Sequence, residues 1–301
     1  MTSARTYDSV VLVKQVPDTH NISGEVMKDD GTINRSALPA IFNPEDLNAL
    51  EMALEVKERY GGQVTVMTMG PAMAAEVLRE ALYRGADKVV LLSDRRFAGA
   101  DTLATSYTLK YAIEKLGHFD FVFCGRQAID GDTAQVGPQT AEKLGIPQIT
   151  YAEQIVNIEG DTVVAQRAFP LGKEWVKCSL PCLLTVVASA NRPRPASIRK
   201  KVENKLAATA FEEKALLGKW PEFETEEKLD AYLAARNLKI PVWTADDLGV
   251  DASRLGLNGS PTQVYKVNFV VLETLESKQI PANAEGIAAL MQELVKEYIV
   301  G

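Results

Sequence analysis

The sequence predicts an α/β fold: a doubly wound parallel sheet with an antiparallel hairpin excursion and a C-terminal helical arm. Three observations carry this. Four short runs, 8–14, 63–69, 88–94 and 119–125, are rich in Val, Phe and Leu at their centres, as suits strands buried on both faces of a parallel sheet. Helix-period segments at 44–60, 71–85, 100–117 and 133–145 alternate with them, which implies parallel strands joined by right-handed crossovers. From about 147 to 188 the pattern changes to alternating runs parted by tight turns, which read as antiparallel hairpins.

Local chemistry places the boundaries. Asn43 caps the 44–60 segment and Pro44 occupies its first turn, where a missing N–H costs nothing. Gly70 and Pro71 open the next helix, and Asp101 opens the third. Gly61, Gly85, Gly117 and Gly145 stand at helix ends, where a C-cap glycine closes the last turn. Hairpin turns fall at EGD and PLGK. The stretch NRPRPASIRKK, 191–201, is expected as a Pro/Arg loop, neither central strand nor helix. Residues 202–238 lean helical, 240–267 reads as irregular, and 284–299 as a final helix.

Composition narrows the function classes. The 301 residues are 46% apolar, 24% charged and 7% aromatic, which excludes disorder, collagen-like repeats and a disulfide-stapled miniature. A formal charge of −7 argues against nucleic acid as the main partner, yet leaves room for one anionic ligand in a local pocket. No apolar run reaches the roughly 20 residues of a membrane helix, and the opening residues lack a signal-peptide core. Three cysteines, Cys124, Cys178 and Cys182, suit a reducing compartment, so a cytoplasmic location is expected. The CSLPC spacing could suggest a metal or redox pair. With no histidine nearby, two small apolar residues around a proline turn is the preferred reading.

Ligands of doubly wound sheets bind beyond the carboxyl ends of the strands, near the switch in strand order. That directs attention to the loops 14–19, 68–71, 93–102 and 125–133. Neither G-x-G-x-x-G nor a P-loop occurs. The most unusual stretch is GRQAIDGDTAQVGP, 125–138. DTAQ reads as a capping box, Asp132 accepting from the amide of Gln135, while Pro138 makes the start irregular. The amides of Thr133 to Gly137 fall in or beside the unpaired first turn that attracts phosphate, and Gly131 allows close backbone approach. Against this, Asp130 and Asp132 repel a pyrophosphate unless both carboxylates are engaged elsewhere. A capped turn and a phosphate site both remain open. The second loop brings Arg95, Arg96, Asp101, Thr102 and Thr105 to a neighbouring strand end, with Gly99 for a bend. It reads as a solvated loop or as part of one shared site. His20 and His118 fit no triad and read as surface residues.

At these loops the sequence resembles the β subunit of electron transfer flavoproteins, and most closely the electron-bifurcating type. The matching segments are VKQVPDT (13–19), NPEDLNALEMAL (43–54), TMGP (68–71), 79–106 and 123–151, with the likeness covering nearly all of 8–198 and resuming at IPVWTADDLG (240–249). The resemblance implies a fold related to adenine-nucleotide-binding domains and pairing with a homologous α subunit that carries FAD. Carrier-type members hold a structural AMP in the β subunit. Bifurcating members hold a second FAD there, reduced by NADH, whose electrons then separate. Gly131, Thr133 and the AQVGP ending look like the bifurcating type, where many AMP-holding members have an acidic run. FAD is therefore expected, with AMP as the alternative and a stand-alone adenine-nucleotide-binding protein as a third reading.

Carried across residue by residue, the resemblance implies adenosine contacts at Val13, Lys14, Val16, Asn43, Met69 and Gly70. It implies phosphate contacts at Asp132, Thr133, Ala134, Gln135, Val136 and Gly137, with Gly125, Gln127, Asp130 and Gly131 completing that side. Arg95, Phe97, Ala98, Gly99, Asp101, Thr102 and Thr105 are expected near the flavin, and Arg126 is expected to modulate its charge. The 191–201 loop resembles the family's partner-recognition loop, with Ile198 as the docking side chain flanked by Arg194, Arg199 and Lys200, the partner being an acyl-CoA-type or related dehydrogenase. Relatives pass through a shorter run before IPVW, so the expected division is an α/β domain over 1–200, an insertion over 201–239 and a C-terminal arm over 240–301 that packs on the α subunit.

Overall fold

The computed structural model describes residues 5–18, 39–220, 223–263, 278–297 and 299. His20, and the Thr19 end of the first loop, lie outside the described residues. The strands are β1 (Ser9–Leu12), β2 (Gln15–Pro17), β3 (Ala40–Phe42), β4 (Val64–Met69), β5 (Lys88–Leu92), β6 (Phe121–Gly125), β7 (Gln148–Glu159), β8 (Thr162–Phe169), β9 (Gly172–Ser179), β10 (Cys182–Val186) and β11 (Val242–Trp243). The helices are α1 (Pro44–Tyr60), α2 (Ala75–Arg84), α3 (Thr102–Leu116), α4 (Val136–Leu144), α5 (Ile198–Asn204), α6 (Glu213–Lys219), α7 (Glu226–Ala235), α8 (Ala245–Leu248) and α9 (Ala284–Lys296).

Nine strands form one sheet in the order β11-β5-β4-β1-β6-β10-β7-β8-β9, while β2 and β3 pair apart from it. Pairing is parallel from β11 through β7 and antiparallel only for β7–β8 and β8–β9. The pleat sends alternate residues of β1 to opposite faces. Val11 packs with the residues of α1 and α2, whereas Val10 and Leu12 pack with those of α3 and α4. The predicted doubly wound parallel core is thus present. The chain leaves β1 outward to β4 and β5, then returns to β6 on the other side of β1. Strand order reverses between β1 and β6, and doubly wound folds place their ligand crevice at such a point, beyond the strands' carboxyl ends.

Three local expectations are corrected. β10 is not part of the hairpin excursion: it inserts parallel between β6 and β7. Its run CLLTV is buried at every position, the mark of a strand covered on both faces. The segment after 240, expected as irregular, supplies β11 at the sheet edge, where Val242 pairs with Leu91. Within 191–201 the Pro/Arg composition governs only the first part. Ser197 accepts from the amide of Lys200 and starts α5 at Ile198, because a serine cap restores helical order once the prolines are past.

Residues 202–238 contribute Ala207, Ala208, Leu229, Leu233 and Leu238 to the apolar cluster that holds α1 and α2. No helix among the described residues is long and apolar enough to cross a membrane. Leu233 is fully buried in that cluster, so Leu233→Ala is expected to cost about 2–5 kcal/mol. The loss is read in urea as an earlier midpoint of the same single transition that monitors β1 and β4. A separate transition for 202–238 would contradict a shared core.

Candidate functional site

The crevice is built from the first turn of α1. Asn43 sits at the N-cap with Pro44 behind it, as predicted, but its side chain makes no cap bond. Instead Asn43 Nδ2 donates to the carbonyl of Gln127 at 2.9 Å and Oδ1 accepts from the amide of Ile129 at 3.1 Å. Its own amide donates to the Lys14 carbonyl at 3.0 Å. Asp46 accepts from the amides of Lys14, at 2.8 Å, and Gly125, at 2.9 Å. Burial pushes its pKa up to about 7, against the amides and Asn43 that favour the anion. Glu45 accepts from the amide of Gln127 at 3.0 Å and meets the Arg126 guanidinium at 3.1 Å. That pair raises the Arg126 pKa, and the same guanidinium lies 5.8 Å from the Tyr151 ring centroid. Gly125 has no room for a side chain, since a Cβ would stand 2.5 Å from Asp46 Oδ1.

The loop that follows differs from its predicted form. The capping box is not made. Asp132 has φ 48°, Gln135 occupies the N-cap without a side-chain capping bond, and α4 begins at Val136. Pro138 explains the shift. A helix capped by Asp132 would carry the proline in its interior, whereas a start at Val136 puts it in the first turn, where no amide is needed. Asp132 accepts instead from Gln127 Nε2 at 2.8 Å, and both oxygens of Asp130 accept from Lys14 Nζ at 2.8 Å. The two carboxylates that count against an anionic ligand are therefore each taken up by a neighbour.

What remains open is backbone. The five successive amides of Thr133 to Gly137 donate to no acceptor among the described residues. Ala134 has φ 52° and is followed by right-handed Gln135, an alternation that turns neighbouring amides into an anion-binding concavity. Left-handed backbone at Asp132 and Ala134 costs about 1–2 kcal/mol per residue, and such strain collects at functional sites. The two glycines of the stretch differ in kind. At Gly137 a Cβ would lie 2.7 Å from Cys124 Sγ and 2.8 Å from Thr185 Cγ2, so packing demands glycine there. At Gly131 a Cβ would meet nothing within 4 Å and φ is not left-handed, so neither fold nor backbone demands it.

The second loop reaches the same crevice through one link. Thr102 Oγ1 donates to Gln135 Oε1 at 2.9 Å and accepts from Gln139 Nε2 at 3.3 Å, tying the start of α3 to the start of α4. Asp101 caps α3 through the amides of Leu103 and Ala104 and also accepts from Thr262. Burial opposes the anion, but these donors hold its pKa below the usual carboxylate value. Ala98 accepts from the amide of Leu257, and Gly99 turns with φ 73° against that side chain. Phe97 is buried in the core beside α3. Arg95 is exposed with no ion-pair partner among the described residues, and the Thr105 amide closes the first turn on Asp101. Val13 and Val16 are buried in the β1 exit, and the Gly70 amide donates to Leu92. Met69 ends β4 half-buried beside that bond.

Sequence reasoning missed Glu45, Asp46 and Tyr151. Acidic residues in a first helical turn are ordinary, so nothing marked two of them as ties to another strand. Tyr151, φ 59°, sits where the β7–β10 register shifts. The four residues expected to dock a partner separate in the structure. Ile198 is 82% exposed at the start of α5, and Arg199 and Lys200 face Glu203, but Arg194 is turned inward onto α1.

Fold and crevice define the class: a doubly wound α/β protein with its candidate ligand site at the β1/β6 switch point. The model of the electron transfer flavoprotein domain matches residues 30–211. An electron transfer flavoprotein subunit beta of Thermoanaerobacterium thermosaccharolyticum is 47% identical over 97% of this chain and 99% of its own. A subunit of the same name from Clostridium acetobutylicum is 46% identical over 85% of this chain and 86% of its own. The caffeyl-CoA reductase-Etf complex subunit CarD of Acetobacterium woodii is 43% identical over 85% and 86%. The chain belongs to the electron transfer flavoprotein family.

Asp46 yields a pH test. Its folded pKa, about 7, lies above the ordinary 3.8, so the folded state keeps the proton longer than the unfolded chain. The stability this contributes is complete below the ordinary value and is lost as pH rises through about 7. Urea midpoints measured from pH 5 to 8 are expected to fall less steeply in Asp46→Asn than in the wild type. Equal slopes would contradict the buried titration.

Proposed function

We propose that this chain is the β subunit of a heterodimeric electron transfer flavoprotein that holds a second FAD in the β1/β6 crevice and takes part in electron bifurcation from NADH. The observation that carries this reading is the row of five amides from Thr133 to Gly137, unpaired among the described residues, beside a glycine, Gly131, that the fold itself does not require. A pyrophosphate supplies acceptors for such a row, at the positive end of α4. A side chain at 131 would stand in the open space where a ligand extends past its first phosphate. Lys14 offsets the charge of Asp130, and the bond from Gln127 engages Asp132, which lessens the repulsion an anion would meet.

FAD, when bound, takes up two electrons as a hydride and releases them singly. The chain's own groups would hold and tune it. The 133–137 amides would bind phosphates, and the β1, β4 and α1 ends would border the adenosine. The 95–105 loop, tied to Gln135 through Thr102, would shield the ring from water. The Arg126 guanidinium, fixed by Glu45, favours negative charge placed beside it. The relatives' names, subunit beta and a caffeyl-CoA reductase-Etf complex, support an α subunit and an acyl-CoA-type dehydrogenase as partners. The exposed stripe Ile287, Met291 and Val295 along α9 suits coverage by that α subunit. We place the complex in the cytoplasm.

Denatured αβ complex is expected to release two FAD. One FAD with one AMP would replace this reading by the AMP-holding carrier. Gly131→Glu is expected to lower flavin from two to about one per complex while circular dichroism stays unchanged. Arg126→Ala is expected to lower the potential of the β-subunit flavin in spectroelectrochemical titration, and an unchanged potential and NADH reduction rate would remove that role.

A further inference from the structure

We infer that Arg194 is a positioning residue, which fastens the 191–197 loop to α1 so that Ile198 is presented in one fixed place, and does not itself touch the partner. The inference rests on the reading of Ile198 as the docking side chain.

Arg194 is engaged at every nitrogen. Nε lies 2.9 Å and 3.1 Å from the two oxygens of Glu51, Nη2 lies 2.9 Å from Oε1, and the backbone amide donates to the same carboxylate at 2.8 Å. Nη1 reaches Glu58 at 2.5 Å. Glu51 is buried and Arg194 is partly so, and this forked pair is the kind that fixes orientation as well as position. Arg199, by contrast, is 87% exposed and faces only Glu203 on its own helix. A guanidinium meant for a partner's rim resembles Arg199, not Arg194.

The rest of the loop is pinned in the same way. Asn48 Nδ2 donates to the Asn191 carbonyl at 2.8 Å, and Asn191 Nδ2 returns a bond to the Asn48 carbonyl at 3.0 Å. Arg84 donates to the Arg194 carbonyl, and the Ser197 amide donates to Tyr83. Ser197 then caps α5, and the next residue is Ile198, 82% exposed, with Val202 one turn on at 63%. An apolar pair on a loop already ordered before contact spares the ordering cost that a slack loop meets on binding. Loss of that order weakens docking severalfold, up to about tenfold.

The test uses the holo αβ complex with a short-chain acyl-CoA dehydrogenase that exchanges electrons with the wild type. The readouts are KM and kcat for the complex, and deuterium exchange across 191–198. Arg194→Gln is expected to raise KM about tenfold with kcat within about twofold, to speed exchange in the loop, and to leave flavin content unchanged. Arg194→Lys, which keeps the charge but not the fork, is expected to raise KM less, and it carries the test if Arg194→Gln does not fold. Added to Ile198→Ala, Arg194→Gln is expected to raise KM by no more than about twofold further, because the side chain it positions is gone. Ile198→Ala impaired with Arg194→Gln at wild-type KM would overturn the positioning role while docking stands. Multiplicative KM effects would overturn it in favour of direct contact. An unaffected Ile198→Ala would remove the docking reading, and this inference with it.

Discussion

The rest of the site depends on one buried carboxylate. Asp46 joins the exits of β1 and β6 by taking the Lys14 amide on one oxygen and the Gly125 amide on the other. Only a short side chain with two acceptor oxygens can do this from the first turn of a helix. Burial makes the charged form costly, hence the raised pKa, but removing the carboxyl would leave two strand-end amides unpaired in the same dry place. Gly125 follows from the same bond: the strand approaches the carboxylate so closely that a methyl group would collide with it. The carboxylate therefore fixes where β6 ends, and with it where the next loop begins.

From there the loop is held, released and held again. Asn43 and Glu45 take its backbone at Gln127 and Ile129. At the far end Gly137 seats α4 against Cys124 and Thr185. Between these anchors the chain is exposed at 131–133, and the left-handed residues Asp132 and Ala134 occur there. Strained backbone persists where its surroundings over-determine it, and two fixed ends around a short span do that. The unpaired amides are thus a product of the anchors and not of any residue type within the loop.

This explains what was legible in the sequence. The parallel core could be read because strands covered on both faces must be apolar along their length, as in β1, β4, β5 and β6. The same rule, applied to CLLTV, identifies β10 as central, but its neighbours in sequence suggested a hairpin. The loop was recognisable as unusual, yet its details were not. Asp132 has the identity of a cap, and only the position of Pro138 relative to the helix start denies it that role. Gly131 and Gly137 are indistinguishable as letters. One is required by a sulfur and a methyl group brought from two other strands, and the other faces open space.

The hardest feature to read is α1 itself. Between residues 45 and 51 it carries Glu45, Asp46, Asn48 and Glu51, all buried, although charged groups are rarely buried unless paired. In sequence they look like the solvated face of an amphipathic helix. In the fold each is paired inward: Glu45 with Arg126, Asp46 with two strand-end amides, Asn48 with Asn191, and Glu51 with Arg194. The first two hold the candidate cofactor site, and the last two hold the 191–197 loop that leads to Ile198. One helix thus fixes both the candidate cofactor site and the exposed Ile198 with polar bonds to backbone and side chains. Those bonds set direction as well as distance, which apolar packing alone does not. The polar strip on α1 is what gives the two places a fixed geometry with respect to one another.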